Sequence, residues 1–98
     1  MIVVVLPGYL AELAGGRSRI ELAEGCATVG EALAALAAAR PALRDRIQDE
    51  QGRVRQHVNV FVGQESIRFT GGLGTPLARD AEIHVIPAVS GGSGARRS

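Results

Sequence analysis

The stretch EIHVIPAVSGG, Glu82 to Gly92, decides how this chain is read. Its apolar run from His84 to Val89 has the length and β-branched content of a strand, and Ser90 leads it into Gly91-Gly92. Six residues follow, Ser93 to Ser98 (SGARRS), and they carry no pattern of a structural element. A counterpart stands at the other end. MIVVVL, Met1–Leu6, is a short continuous apolar run of strong β-formers, expected to be a strand buried on both faces. Two such strands, first and last in the chain, belong side by side in the middle of a sheet, with a helix across one face.

Between them the pattern fills in. Pro7 and Gly8 end the first strand, and YLAELAGG makes a brief helical turn. RSRIEL, Arg17–Leu22, alternates and pairs back as a hairpin. The clearest helix starts at Thr28, where Thr28 and Glu31 form a T-x-x-E capping box. Val29, Leu33, Leu36 and Ala37 then fall on one stripe, and Pro41 interrupts it. ALRDRIQDEQGRVRQ is charged and reads as a loop with a residual helical turn around Leu43–Ile47. HVNVFV, His57–Val62, alternates as a strand, and ESIRF is a second short strand or edge segment. TGGLGTPL is a Gly-rich loop and ARDAE a tight turn into the last strand, EIHVIPAV. The order β-β-α-β-(β)-β predicts an α+β fold of the β-grasp, ubiquitin-like class. A mixed sheet of four to five strands carries one main helix over residues 1–90, and 91–98 form a flexible tail.

The totals bound the function. Ninety-eight residues leave room for one core, and a chain this short buries about 60–65% of its unfolded surface. A net charge of +1, with no basic stripe interleaved with aromatics, argues against nucleic-acid binding. The one cysteine, Cys26, has no internal disulfide partner, which suits a reducing compartment. The apolar N-terminus lacks a basic lead-in and a cleavage site, and no apolar run reaches the roughly 18 residues that span a bilayer. The expectation is a cytoplasmic protein with no membrane partner, monomeric when free. All eleven basic residues are arginine. Either the chain avoids acylating itself once its C-terminus is activated, or a GC-rich genome has drifted away from lysine.

Few side chains suggest chemistry. Cys26 precedes the helix, yet a lone thiol reads better as a small filler than as a catalyst. His57 and His84 have no cysteine or carboxylate at ligand spacing, so no metal is expected. Gly71-Gly72 matches neither phosphate-loop pattern and reads as a bend with positive φ. Arg68, beside Phe69 and Leu73, fits a partner-docking surface as well as a solvated arginine on an edge strand.

The second half of the chain resembles the ubiquitin-like sulfur carriers of the MoaD/ThiS family. Val58-Asn59, Ile67-Arg68, Gly72-Leu73, Thr75-Pro76-Leu77 and Pro87 through Gly92 carry the resemblance in order. IRFTGGL is most like the actinobacterial branch that serves cysteine biosynthesis. ARDAE departs from the acidic-Gly-acidic turn usual there, and the extension after Gly92 departs from a Gly-Gly end.

The resemblance implies a protein co-substrate with no catalytic residue and no bound cofactor. Glycines at 91 and 92 let an enzyme close a narrow channel around the backbone, and Ala88 to Gly92 reach about 15 Å when extended. The Gly92 carboxylate is expected to be adenylated, with ATP, by a ubiquitin-activating-type adenylyltransferase and converted to a thiocarboxylate. A sulfur-accepting synthase then uses it. Arg68, Phe69, Leu73, Pro87 and Val89 are the implied docking residues. The Gly92–Ser93 bond is the implied processing site, cut by a deubiquitinase-like zinc metalloprotease; a cloning remnant or read-through is the alternative origin of SGARRS. Two other functions stay open: a ubiquitin-like modifier joined to target lysines, and the small subunit of molybdopterin synthase. The acceptor of the sulfur is not legible.

Overall fold

The computed structural model describes residues 2–22 and 25–87. Five strands form one sheet in the order β2-β1-β5-β3-β4, with β1 (Ile2–Val5), β2 (Arg19–Leu22), β3 (Val58–Val62), β4 (Glu65–Ser66) and β5 (Glu82–Pro87). The two most apolar strands are neighbours, as their composition demands. β1 and β5 run parallel, with Val4 opposite Ile83, while β2 and β3 flank them in antiparallel register. A mixed sheet crossed by a helix is the expected β-grasp.

Helix α2 (Val29–Ala39) covers one face with Val29, Ala32, Leu33 and Leu36, against Ile2, Val4, Val58, Val60, Ile83 and Val85. Each such side chain taken from water contributes about 1.5–3 kcal/mol. Ala37, placed on the stripe from sequence, is only half-buried; Ala32 fills that position. The capping box forms with one shift. Thr28 Oγ1 accepts from the Glu31 N–H at 3.3 Å, and Glu31 Oε1 accepts from the Ala27 N–H at 2.8 Å, one residue before the cap.

Three expectations need correction. The residual helical turn expected around Leu43–Ile47 is a two-turn helix, α3 (Pro41–Ile47), and only 48–56 of the charged stretch is loop. Pro41 is pre-set for a first helical turn, and Leu43 and Ile47, four apart, are buried beside α2. β1 is buried on one face only: Ile2 and Val4 face the helices, while Val3 and Val5 are half-buried on the open side. ESIRF is a strand only at Glu65–Ser66; Ile67–Phe69 turn into a 3₁₀ helix, which sends Ile67 into the core. The brief turn after Pro7 is α1 (Gly8–Ala11), extended by a 3₁₀ turn.

Candidate functional site

The last described residue has a fixed place in the sheet. Pro87, last in β5, lies opposite Val58, first in β3. Val89, Gly91, Gly92 and Ser93, the remaining tail and processing residues expected from sequence, lie outside the described residues.

Beside that place stands the loop carrying the other expected docking residues. Ser66 Oγ accepts from the Arg68 N–H at 3.3 Å and starts the 3₁₀ turn. The Arg68 guanidinium donates through one Nη to the carbonyls of Gln56 at 3.1 Å and Val58 at 3.5 Å. Arg68 is exposed, as the solvated alternative had it, but it lies on a 3₁₀ turn and not on an edge strand, and it ties the loop to the start of β3. Its neighbour Phe69 is 88% exposed, far beyond any other large apolar side chain described. Leu73 is half-buried and packs on the core instead of standing out.

Hydroxyls and glycines fix the loop's shape. Gly71 (φ 116°) and Gly72 (φ 62°) take the positive φ expected of the bend. Thr75, the buried polar residue of this region, donates its hydroxyl to the Gly72 carbonyl at 2.7 Å and lies 2.9 Å from the Thr70 hydroxyl. Its backbone carbonyl accepts from the Val29 N–H at 3.0 Å, and Leu77 N–H donates to Ala27 at 2.9 Å. The loop is thus stitched to the start of α2, and Phe69 is presented from a rigid base.

A second surface was missed from sequence. The open sheet face aligns Phe61, His84, Val5 and Arg19 in one row, because β3, β5, β1 and β2 pair them in register. Ile86 stands 43% exposed opposite Asn59. Apolar residues at alternate positions on the solvent side of β1 and β5 were the available signal. On this face Glu82 Oε1 bonds His84 Nε2 at 2.7 Å, and Glu82 Oε2 accepts from Arg19 at 3.2 Å. The His84 hydrogen bond foremost, with Arg19 behind it, holds the Glu82 carboxyl below its ordinary range. His57 precedes β3 and is exposed. Cys26 is half-buried against the core, as a filler would be. No group of three metal-ligating side chains occurs among the described residues, and none of their helices is long and apolar enough to cross a membrane.

The ThiS family model matches residues 4–92. The chain belongs to the ThiS family. Its match ends at Gly92 and leaves Ser93–Ser98 outside. Among curated relatives it is similar to small archaeal modifier protein 1 of Haloferax volcanii, 42% identical over 85% of this chain and 91% of that protein. It is also similar to the sulfur carrier protein CysO of Mycobacterium tuberculosis, 30% identical over 93% of this chain and 98% of that one. Solved structures give the same two groups. A chain of the BexX/CysO complex of Amycolatopsis orientalis superposes with a TM-score of 0.83 at 28% identity, covering 94% of this chain and all of that one. The crystal structure of Haloferax volcanii SAMP1 gives 0.72 at 39% identity, covering 93% and 98%. The ubiquitin-like fold and the resemblance to CysO-like sulfur carriers hold.

Proposed function

We propose that this ThiS-family chain is a sulfur carrier whose working atom is the C-terminal carboxyl of Gly92. The observation that carries the reading is the family match ending at Gly92, five residues after Pro87 closes the last strand of the sheet. The chain would act as a protein co-substrate, not as an enzyme. A Gly92 carboxylate oxygen attacks the α-phosphorus of ATP and pyrophosphate leaves. Sulfide then attacks the acyl carbon, the bond to AMP breaks, and a thiocarboxylate remains; a persulfide in its place would leave an acyl disulfide, whose S–S bond a thiol must cleave to free the thiocarboxylate. The chain contributes no acid or base to either step; it contributes a docking surface and a side-chain-free end.

Adenylation requires a free carboxylate, so Ser93–Ser98 must first be cut from Gly92 by a metalloprotease of the deubiquitinase-like class. Similarity to CysO favours a synthase of cysteine or another sulfur-containing metabolite as acceptor. Arg68 and Phe69, with Leu73, Pro87 and Val89 around the exit, form the docking surface in this reading.

A ubiquitin-like modifier is the second reading, favoured by the 42% identity to the archaeal modifier protein. Incubation of protein ending at Gly92 with its adenylyltransferase, ATP and sulfide separates them. A thiocarboxylate that reacts with a thiol-selective alkylating agent supports the carrier. Isopeptide adducts on lysines in native cells, with no thiocarboxylate, would replace it by the modifier.

A further inference from the structure

The sheet register brings the root of the tail to a basic cluster. Pro87, the last described residue, pairs with Val58, which follows His57 and donates its N–H to the Arg55 carbonyl at 3.0 Å. Arg55 donates its Nε–H to the Asp45 carbonyl at 2.6 Å, and Arg68 holds the Gln56 and Val58 carbonyls. Carbonyls orient a guanidinium without neutralising it. Among the described residues no carboxylate stands within salt-bridge distance of Arg55, His57 or Arg68. Asp49 is the one carboxylate of the adjoining cleft, about 460 Å³, lined also by Arg53, Arg55 and His57. It is held first by the N–H groups of Gln51 and Arg53 and by the Arg53 side chain at 3.5 Å, with Arg55 a weaker charge partner beyond salt-bridge distance.

The surrounding charge sharpens the contrast. From Arg40 to His57 five arginines stand against three carboxylates, whereas the rest of the chain up to Gly92 has four arginines against seven. The stretch that leads into β3 is thus net basic in a chain that is otherwise net acidic up to Gly92.

We propose that Arg55, His57 and Arg68 form a basic collar that docks on a carboxylate-lined rim, at the mouth of the channel through which a partner protein takes up Gly92. The collar rests on the reading of Gly92 as an activated end. Five residues from Ala88 to Gly92, drawn out fully in a channel, would reach about 15 Å, which keeps the collar clear of the nucleotide at Gly92 and sets it against protein at the entrance. Arginines already held by backbone oxygens lose little further freedom on docking. Charges at such a rim act mainly on encounter and are screened by salt.

The test is pyrophosphate exchange by the source organism's adenylyltransferase, with protein ending at Gly92, from low to high salt. For the unaltered protein KM rises about tenfold with salt at constant kcat. The variant R55E/H57E starts about tenfold higher in KM and is nearly flat with salt. His57→Glu alone, altering one exposed side chain, gives a smaller shift of the same sign and serves if the double variant unfolds. Equal KM values and salt profiles for variant and unaltered protein would overturn the collar. So would RNA binding lost in the variant with KM unmoved, which assigns the cluster to nucleic acid. Absence of exchange with the unaltered protein contradicts the activated-tail reading itself and removes the collar with it.

Discussion

Gly30 of α2 lies directly against Leu73 of the Gly-rich loop. A Cβ at Gly30 would stand 3.1 Å from the Leu73 carbonyl oxygen and 3.4 Å from the Leu73 Cβ. Glycine in a helix costs about 1 kcal/mol relative to alanine, and this contact explains why it is kept. It lets the loop that presents Arg68 and Phe69 sit on the start of α2. Gly30→Leu should destabilise the protein by about 1–3 kcal/mol through overpacking, read from urea unfolding. Stability at or above that of the unaltered protein would show that the loop yields freely.

The Thr75 hydroxyl is the loop's internal strut. Thr75→Val keeps the shape but removes the hydroxyl bonds to the Gly72 carbonyl and the Thr70 hydroxyl, leaving the first with the Thr75 N–H at 3.1 Å and the second with the Ser66 carbonyl at 3.5 Å. A loss of about 0.5–1.5 kcal/mol is expected, with Thr75→Ser recovering most of it. Calorimetric melting of both variants decides, and an unchanged Thr75→Val would mean that water replaces the hydroxyl without cost.

Phe69 makes the opposite prediction. At 88% exposure it contributes little to folding, so Phe69→Ala should leave stability within about 0.5 kcal/mol. In the same variant, KM for adenylation should rise about tenfold or more if the ring is an anchor of the docking surface. A lowered melting temperature with unchanged KM would make Phe69 structural.

Acid should weaken the fold through the open sheet face. The folded-state pKa of Glu82 lies below its ordinary 4.5, so the ionised form is favoured by folding. That contribution is present in full above 4.5 and is lost as pH falls through the lower folded value. Asp49, below its ordinary 3.8 because of the Arg53 N–H first, acts with the same sign. Stability measured from pH 6 to pH 2 should fall below about pH 4.5, and Glu82→Gln should flatten the upper part of the fall. An identical pH profile for Glu82→Gln would show that the His84 and Arg19 contacts contribute nothing in solution.

The fold was largely legible because its two decisive strands are continuous apolar runs, and only a central parallel pair covers their edges. The helix after Thr28 was legible from its cap and stripe. Helix α3 was hidden because only Leu43 and Ile47 mark its buried side, while Arg44, Asp45 and Arg46 dominate its composition. Ile67–Phe69 misled for the reverse reason: β-forming residues sit there, but the Ser66 hydroxyl and the glycines that follow turn the chain. The exposed ring of Phe69 was suspected from its neighbours. The basic collar was not, because Arg55, His57 and Arg68 come together with Pro87 only through the register of β3 with β5.

The most direct measurement is the intact mass of the protein recovered from its native cells while sulfur assimilation is active. The account predicts a species ending at Gly92, part of it with one oxygen replaced by sulfur. A population made only of chains ending at Ser98 would contradict it, leaving Gly91-Gly92 an internal hinge of a binding module.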